Sequence, residues 1–212
     1  MVIAIDGPAG AGKSSVARGV AAGLGFTYLD SGAMYRAVAL AALRSGGDLD
    51  DPAAMTAVAE GVEIGLGDGA VELDGEDVTA AIREPDISTA ASRVSVHPGV
   101  RAAMVGRQRE LIASGRYVAE GRDIGTVVSP EAPLKVFLTA SPEERARRRA
   151  AETGEDAAAV LGAQRVRDAR DAEREHGALR AAEVAVLIDT TELSLDRAVA
   201  RIVELARERR LA

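Results

Sequence analysis

The chain has 212 residues, 47% of them hydrophobic, 28% charged and only 2% aromatic, with no tryptophan, no cysteine and a net charge of −7. That length supports one substantial α/β core with inserted subdomains, and the acidic balance disfavours nucleic acid or an anionic membrane as partner. Without cysteine there are no disulfides or thiolate metal sites, and with neither a leader-like nor a long apolar segment the expected location is cytoplasmic.

The first element is a short apolar run, Val2–Ile5, which reads as a buried strand. It runs into Gly7-Pro8-Ala9-Gly10-Ala11-Gly12-Lys13-Ser14, a full G-x-x-x-x-G-K-[ST] phosphate-loop pattern with Ser15 behind it. Lysine occurs only at positions 13 and 135, against 24 arginines, so a composition that otherwise uses arginine keeps a lysine here. A loop wrapped around polyphosphate needs a compact ammonium on a flexible stem, which a planar guanidinium does not reproduce. Backbone N–H groups and the positive end of the following helix would face the same anion, and Ser14 would offer its hydroxyl to a phosphate-bound Mg²⁺.

Further strands are expected at Thr27–Leu29, Tyr117–Ala119, Leu134–Leu138 and Val184–Ile188, with helical stretches between most of them. That alternation predicts a five-stranded parallel sheet with helices on both faces, a three-layer α/β fold whose ligands bind beyond the carboxyl ends of the strands. Asp30-Ser31, Glu120-Gly121-Arg122-Asp123 and Asp189-Thr190 fall at such ends, as the phosphate loop does. Between Val62 and Thr79, Asp68-Gly69 and Asp74-Gly75 mark hairpin turns of a small β-meander, flanked by helices at 32–46, 86–96 and 98–114.

From Ser141 to about Gly177 the chain becomes arginine-rich and helical, with Pro142 suited to a first helical turn. Arg167, Arg170, Asp171 and Arg174 share one helical face, and Arg145, Arg148 and Arg149 cluster on the preceding helix. Solvated helices cross-linked by pairs such as Glu144 with Arg148 are one reading of this segment. A lid that clamps phosphate oxygens through guanidinium groups is the other, and the concentration of arginine in an acidic chain favours it.

Together, Gly7–Ser15, Asp30-Ser31-Gly32-Ala33-Met34-Tyr35-Arg36, Ala90-Ala91-Ser92, Glu120-Gly121-Arg122-Asp123-Ile124-Gly125-Thr126-Val127-Val128 and Arg167-Asp168-Ala169-Arg170-Asp171 resemble bacterial cytidylate kinases, from Val2 nearly to the C-terminus. The phosphate loop alone indicates a P-loop NTPase; the two longer blocks carry the specific resemblance. It implies a P-loop fold with core 1–31, 115–140 and 178–212, a monophosphate-binding insert at about 32–114 and a lid at about 141–177. It also implies ATP-dependent phosphorylation of CMP and dCMP with Mg²⁺. Nothing in the sequence demands a protein partner, and a monomer is expected.

By the same resemblance Lys13, Arg122, Arg167 and Arg174 are the catalytic cations, and Gly7, Pro8, Ala9, Gly10, Ala11, Gly12, Lys13, Ser14, Ser15, Arg145 and Arg148 hold ATP. Ser31, Arg36 and Arg122 would hold the acceptor phosphate, Ser92, Arg101 and Asp123 would read cytosine, and Arg167, Asp171 and Arg174 would close from the lid. Plainer roles stand beside these. Ser31 fits a helix cap, Arg36 and Arg101 fit surface-helix arginines, Ser92 fits a packing residue, and Asp123 fits a place near Mg²⁺. His97 and His176 have no partner spacing. Residues 173–180 and 157–160 depart from the family pattern, which weakens the lid assignments most.

Adenylate-, shikimate- or dephospho-coenzyme A-type kinases would share the loop and lid but lack the hairpin insert and the Gly-Arg-Asp block. A guanine-nucleotide switch is excluded at its reading motif, because the chain contains no asparagine.

Overall fold

The computed structural model describes residues 1–67, 69–173 and 177–211. Two compact units are present, Met1–Leu29 with Ile112–Ala212, and Asp30–Leu111. Each has its own hydrophobic core.

The large sheet contains β1 (Val2–Asp6), β2 (Thr27–Asp30), β6 (Tyr117–Gly121), β7 (Leu134–Thr139) and β8 (Val186–Asp189), in the spatial order β2-β6-β1-β7-β8. β1 pairs in parallel with β6 and β7, and β7 with β8. All five residues of β1 are buried, which is why it reads as an unbroken apolar run rather than an alternation. The register sets Asp6 beside Gly121 on one side and Phe137 on the other. The strand order therefore reverses at β1, and the loop leaving it sits at the switch point, where open α/β sheets bind ligands.

Helices α1 (Lys13–Leu24), α6 (Pro142–Thr153), α7 (Ala157–Ala172) and α8 (Leu195–Glu208) belong to the same unit. Val16, Ala17, Val20 and Ala21 of α1 are buried with Ile3, Ile5, Val136 and Leu138 of the sheet. Ser141, Asp156 and Ser194 cap α6, α7 and α8 by accepting from the N–H groups of Glu144, Ala159 and Arg197. β8 begins two residues later than the sequence suggests. The Ala185 N–H donates to the Ala182 carbonyl, which makes a turn of the residues around Val184 and leaves that side chain exposed.

The second unit holds α2 (Ser31–Arg44), α3 (Pro52–Gly61), the antiparallel strands β3 (Ile64–Gly67), β4 (Ala70–Leu73) and β5 (Glu76–Asp77), α4 (Pro85–Val94) and most of α5 (Pro98–Ala113). Its core is built on Met34, Val38, Met55, Leu73, Val94 and Met104. The β4–β5 turn has Asp74 at φ 51 and Gly75 at φ 82, two left-handed residues in succession, as a two-residue type I′ hairpin requires. Of the other expected turn, Asp68 lies outside the described residues. Helix α3 was not expected, although Asp51 caps it and Pro52 occupies its first turn, both legible start signals.

Candidate active site

Lys13 is the first residue of α1, and its ammonium donates to the Pro8 carbonyl at 2.8 Å. Two more carbonyls of the loop are held by side chains: Ala9 by Arg145 Nη1 at 3.1 Å and Ala11 by the Thr190 hydroxyl at 3.1 Å. The loop is thus shaped before any ligand arrives. Gly7 is obligatory in this packing, because a Cβ there would lie 2.1 Å from the Leu138 carbonyl oxygen. The first turn of α1 carries no acidic residue, so the positive end of the helix is uncompensated. Ser14 and Ser15 are exposed there.

Burial lowers the Lys13 ammonium to about 7; Arg122 and Arg167 act in the same direction, against Glu120 and Asp6. Three cations gathered against their mutual repulsion make a place that gains when a polyanion enters.

The exit of β6 supplies Glu120, Arg122 and Asp123. Glu120 is buried and accepts from the Tyr28 hydroxyl. Arg122 Nε donates to Asp171 at 3.1 Å, and Asp171 is only 1% exposed. Asp123 is buried, and its carbonyl accepts from the Val127 N–H at 2.8 Å as the chain enters a π-helical turn, Ile124–Val128. Asp6, the last residue of β1, accepts from the N–H groups of Ile124 at 2.8 Å and Gly125 at 2.7 Å. Burial raises its carboxyl to about 6, those two hydrogen bonds partly offsetting the shift.

Helices α6 and α7 treat their arginines in two ways. Arg145 is buried, with its guanidinium on the carbonyls of Ala140 and Ala9 and on Asp168 at 2.7 Å. Arg148 donates to Glu144 at 2.8 Å and to both the hydroxyl and the carbonyl of Thr190. Both groups therefore bind protein, and through Ala9 and Thr190 they brace the phosphate loop. Arg147 with Glu144 and Arg149 with Glu152 are exposed pairs, so part of the arginine run is a solvated face. Arg167 stands within electrostatic range of Lys13. Arg174 and His176 lie outside the described residues.

In the second unit, Asp30 rather than Ser31 caps α2: its carboxylate accepts from the Ala33 N–H at 2.9 Å, and Ser31 is the first helical residue, buried. The shorter side chain stands one position too late to reach the helix's unpaired N–H groups. Asp30 also holds Arg36 at 2.9 Å, while the Nε of Arg36 is buried with no hydrogen-bond partner. Ser92 is buried on α4, and Arg101 is buried on α5 with its guanidinium 5.9 Å from the Tyr35 ring centre. These two are not surface residues. The His97 ring nitrogen Nε2 meets the Leu49 carbonyl at 2.8 Å, a structural contact.

Two features escaped the sequence reading. One is Asp6, legible only as a charge closing an apolar strand. The other is the pair Gln164 and Asp168, which reach Arg145 from α7 and have no local signature.

Among the described residues no three His, Cys, Asp or Glu side chains cluster as a metal cage. The oxygen donors near the loop include the exposed Ser14 hydroxyl and the buried carboxylates of Asp6, Glu120 and Asp123. That set fits Mg²⁺ delivered on phosphates, which takes few protein ligands. No helix among the described residues is long and apolar enough to cross a membrane.

The profile of the cytidylate kinase family matches residues 3–208. A cytidylate kinase of Solibacter usitatus (strain Ellin6076) is 50% identical, over 99% of this chain and 93% of its own length. One of Mycobacterium avium (strain 104) is 48% identical, over 99% of this chain and 96% of its own. Among solved structures, a shikimate kinase from Bacteroides thetaiotaomicron superimposes with a TM-score of 0.51 over 98% of each chain at 13% identity, a likeness of fold alone.

Proposed function

The chain belongs to the cytidylate kinase family, and from that premise we propose that it transfers the γ-phosphoryl group of ATP to the 5′-phosphate of CMP and dCMP, giving ADP with CDP or dCDP. The observation that carries this reading is the cationic cluster of Lys13, Arg122 and Arg167 around a phosphate loop whose carbonyls are already engaged. The loop from Gly7 to Ser15 holds the donor phosphates. Mg²⁺, when bound with the nucleotide, would neutralise phosphate charge, and the Ser14 hydroxyl would help to hold it.

Two phosphate groups repel one another, and the arginines make their approach possible. Arg122 and Arg36 take the acceptor phosphate. The lone buried Nε of Arg36 is a donor suited to an incoming oxygen. Ser31 adds its position at the start of α2. Ser92, Arg101 and Asp123 read the cytosine ring, and Asp171, Arg167 and Arg174 act from the lid. Arg145 and Arg148 serve ATP by bracing the loop. A phosphate-monoester oxygen is already a nucleophile, so no side chain needs to remove a proton, and catalysis is positioning with charge stabilisation. The cysteine-free, acidic chain fits work in a reducing cytoplasm.

The test is ADP formation from Mg·ATP with CMP, dCMP, UMP, AMP and shikimate offered separately. CMP and dCMP should turn over fastest; preferential use of AMP or shikimate would overturn the reading.

A further inference from the structure

Among the buried carboxylates of the first unit, Asp6 has the least ordinary geometry. It is 5% exposed, it ends a strand otherwise made of Val, Ile and Ala, and both its oxygens accept backbone N–H groups from the same turn, Ile124 at 2.8 Å and Gly125 at 2.7 Å. One residue later in sequence, Gly7 begins the phosphate loop. Arg122 and Asp123 stand two residues and one residue before Ile124, and lead directly into the turn that Asp6 holds. The turn is π-helical, a conformation that rarely persists without support, and the Asp6 carboxylate satisfies its first two N–H groups as a helix cap would. Position 125 is tight as well: a Cβ there would come within 3.3 Å of Asp6 Oδ2.

We infer that Asp6 is a positioning residue for phosphoryl transfer, tying the turn that carries Arg122 and Asp123 to the root of the phosphate loop so that the cations for donor and acceptor phosphates keep a fixed separation. This rests on the kinase reading above. An asparagine at position 6 could accept only one of the two N–H groups and would turn its own amide against the other. Arg122 would then lose its fixed position while remaining chemically intact. A displacement of about 1 Å in such a group costs on the order of 10²-fold in rate.

The experiment is a double-mutant cycle between Asp6→Asn and Arg122→Ala, with kcat and the KM for CMP and for ATP measured separately and folding followed by thermal unfolding. Asp6→Asn should lower kcat/KM for CMP by about 10²-fold, with the KM for ATP changed far less. In the Arg122→Ala background the same substitution should add little, because the residue it acts through is gone. Gly125→Ala, whose Cβ would press on Asp6 Oδ2 and on the Lys135 stem at 3.3 Å without removing a charge, should shift the same parameters in the same direction, and it replaces Asp6→Asn if that variant fails to fold. Additive losses, an equal loss toward ATP and CMP, or normal kinetics in a folded variant would overturn the role of Asp6 alone. A wild-type protein that does not phosphorylate CMP would overturn the kinase reading and this inference with it.

Discussion

At the scale of single residues, function here is built against the grain of stability. Burial, with the repulsion of Arg122 and Arg167 added to it, lowers the Lys13 ammonium to about 7. Replacing it with alanine removes that repulsion together with the cation we propose to meet the transferred phosphoryl group. Lys13→Ala should therefore fold at least as well as the wild type and lose about 10²–10³-fold in kcat, the usual cost of one preorganised donor; near-normal turnover would contradict the assignment. Asp6 carries a similar cost in a pH-dependent form. Its carboxyl, ordinarily at 3.8, is raised to about 6 chiefly by burial. Below the lower value both folded and unfolded chains hold the proton, and between the two values only the folded chain does, so the stabilisation is lost as pH rises through about 6. Compared with Asp6→Asn, the wild type should lose about 2 kcal/mol of unfolding free energy between about pH 4.5 and about pH 7.5. Urea titrations of both proteins at the two pH values measure it, and a pH-independent difference would refute the burial argument.

At the scale of elements, the sequence was informative wherever a local rule operates. Four of the five sheet strands begin where their apolar runs begin, and the lid helices lie between a serine cap with Pro142 and the arginine face of α7. Helix α3 was missed although Ala54, Met55, Val58 and Ala59 recur at helical spacing on the core, because a stripe made half of alanine is a weak apolar signal. Of the partners of the α6 and α7 side chains, spacing gave Glu144 with Arg148, and the distant ones were not legible. Asp171 lies 49 positions from Arg122 and Asp168 lies 23 from Arg145, and no spacing rule reaches that far. The Asp171 contact carries its own prediction. Removing a carboxylate 1% exposed takes a charge-assisted hydrogen bond from the lid and frees Arg122. Losing such a bond costs about 1.5–3 kcal/mol, so Asp171→Ala should speed amide exchange in α7 by about tenfold or more. Hydrogen exchange read by mass spectrometry follows this segment directly, and unchanged protection of α7 would show that the pair does not anchor the lid.

At the scale of the whole molecule, the two units each enclose a core of their own. A ligand that engages the folded protein alone stabilises it by mass action, so CMP at about 100 times its dissociation constant should add about 2.7 kcal/mol. Thermal unfolding with CMP and with shikimate in parallel distinguishes the acceptor classes; a shift with shikimate and none with CMP would argue for a different kinase. The amino-acid sequence by itself determined the α/β class, the phosphate loop, the small β insert and the residue blocks shared with the cytidylate kinases. Those properties are written in short-range patterns: strand and helix periodicity, turn residues, and one motif of eight positions. Only the tertiary structure decided that Asp30 caps α2, that Asp6 holds the turn behind Arg122, and that Arg145 and Arg148 brace the loop from within. Each depends on where a charged group comes to rest after burial. A carboxylate or guanidinium removed from water takes whatever partner the fold brings within reach, however distant in the chain.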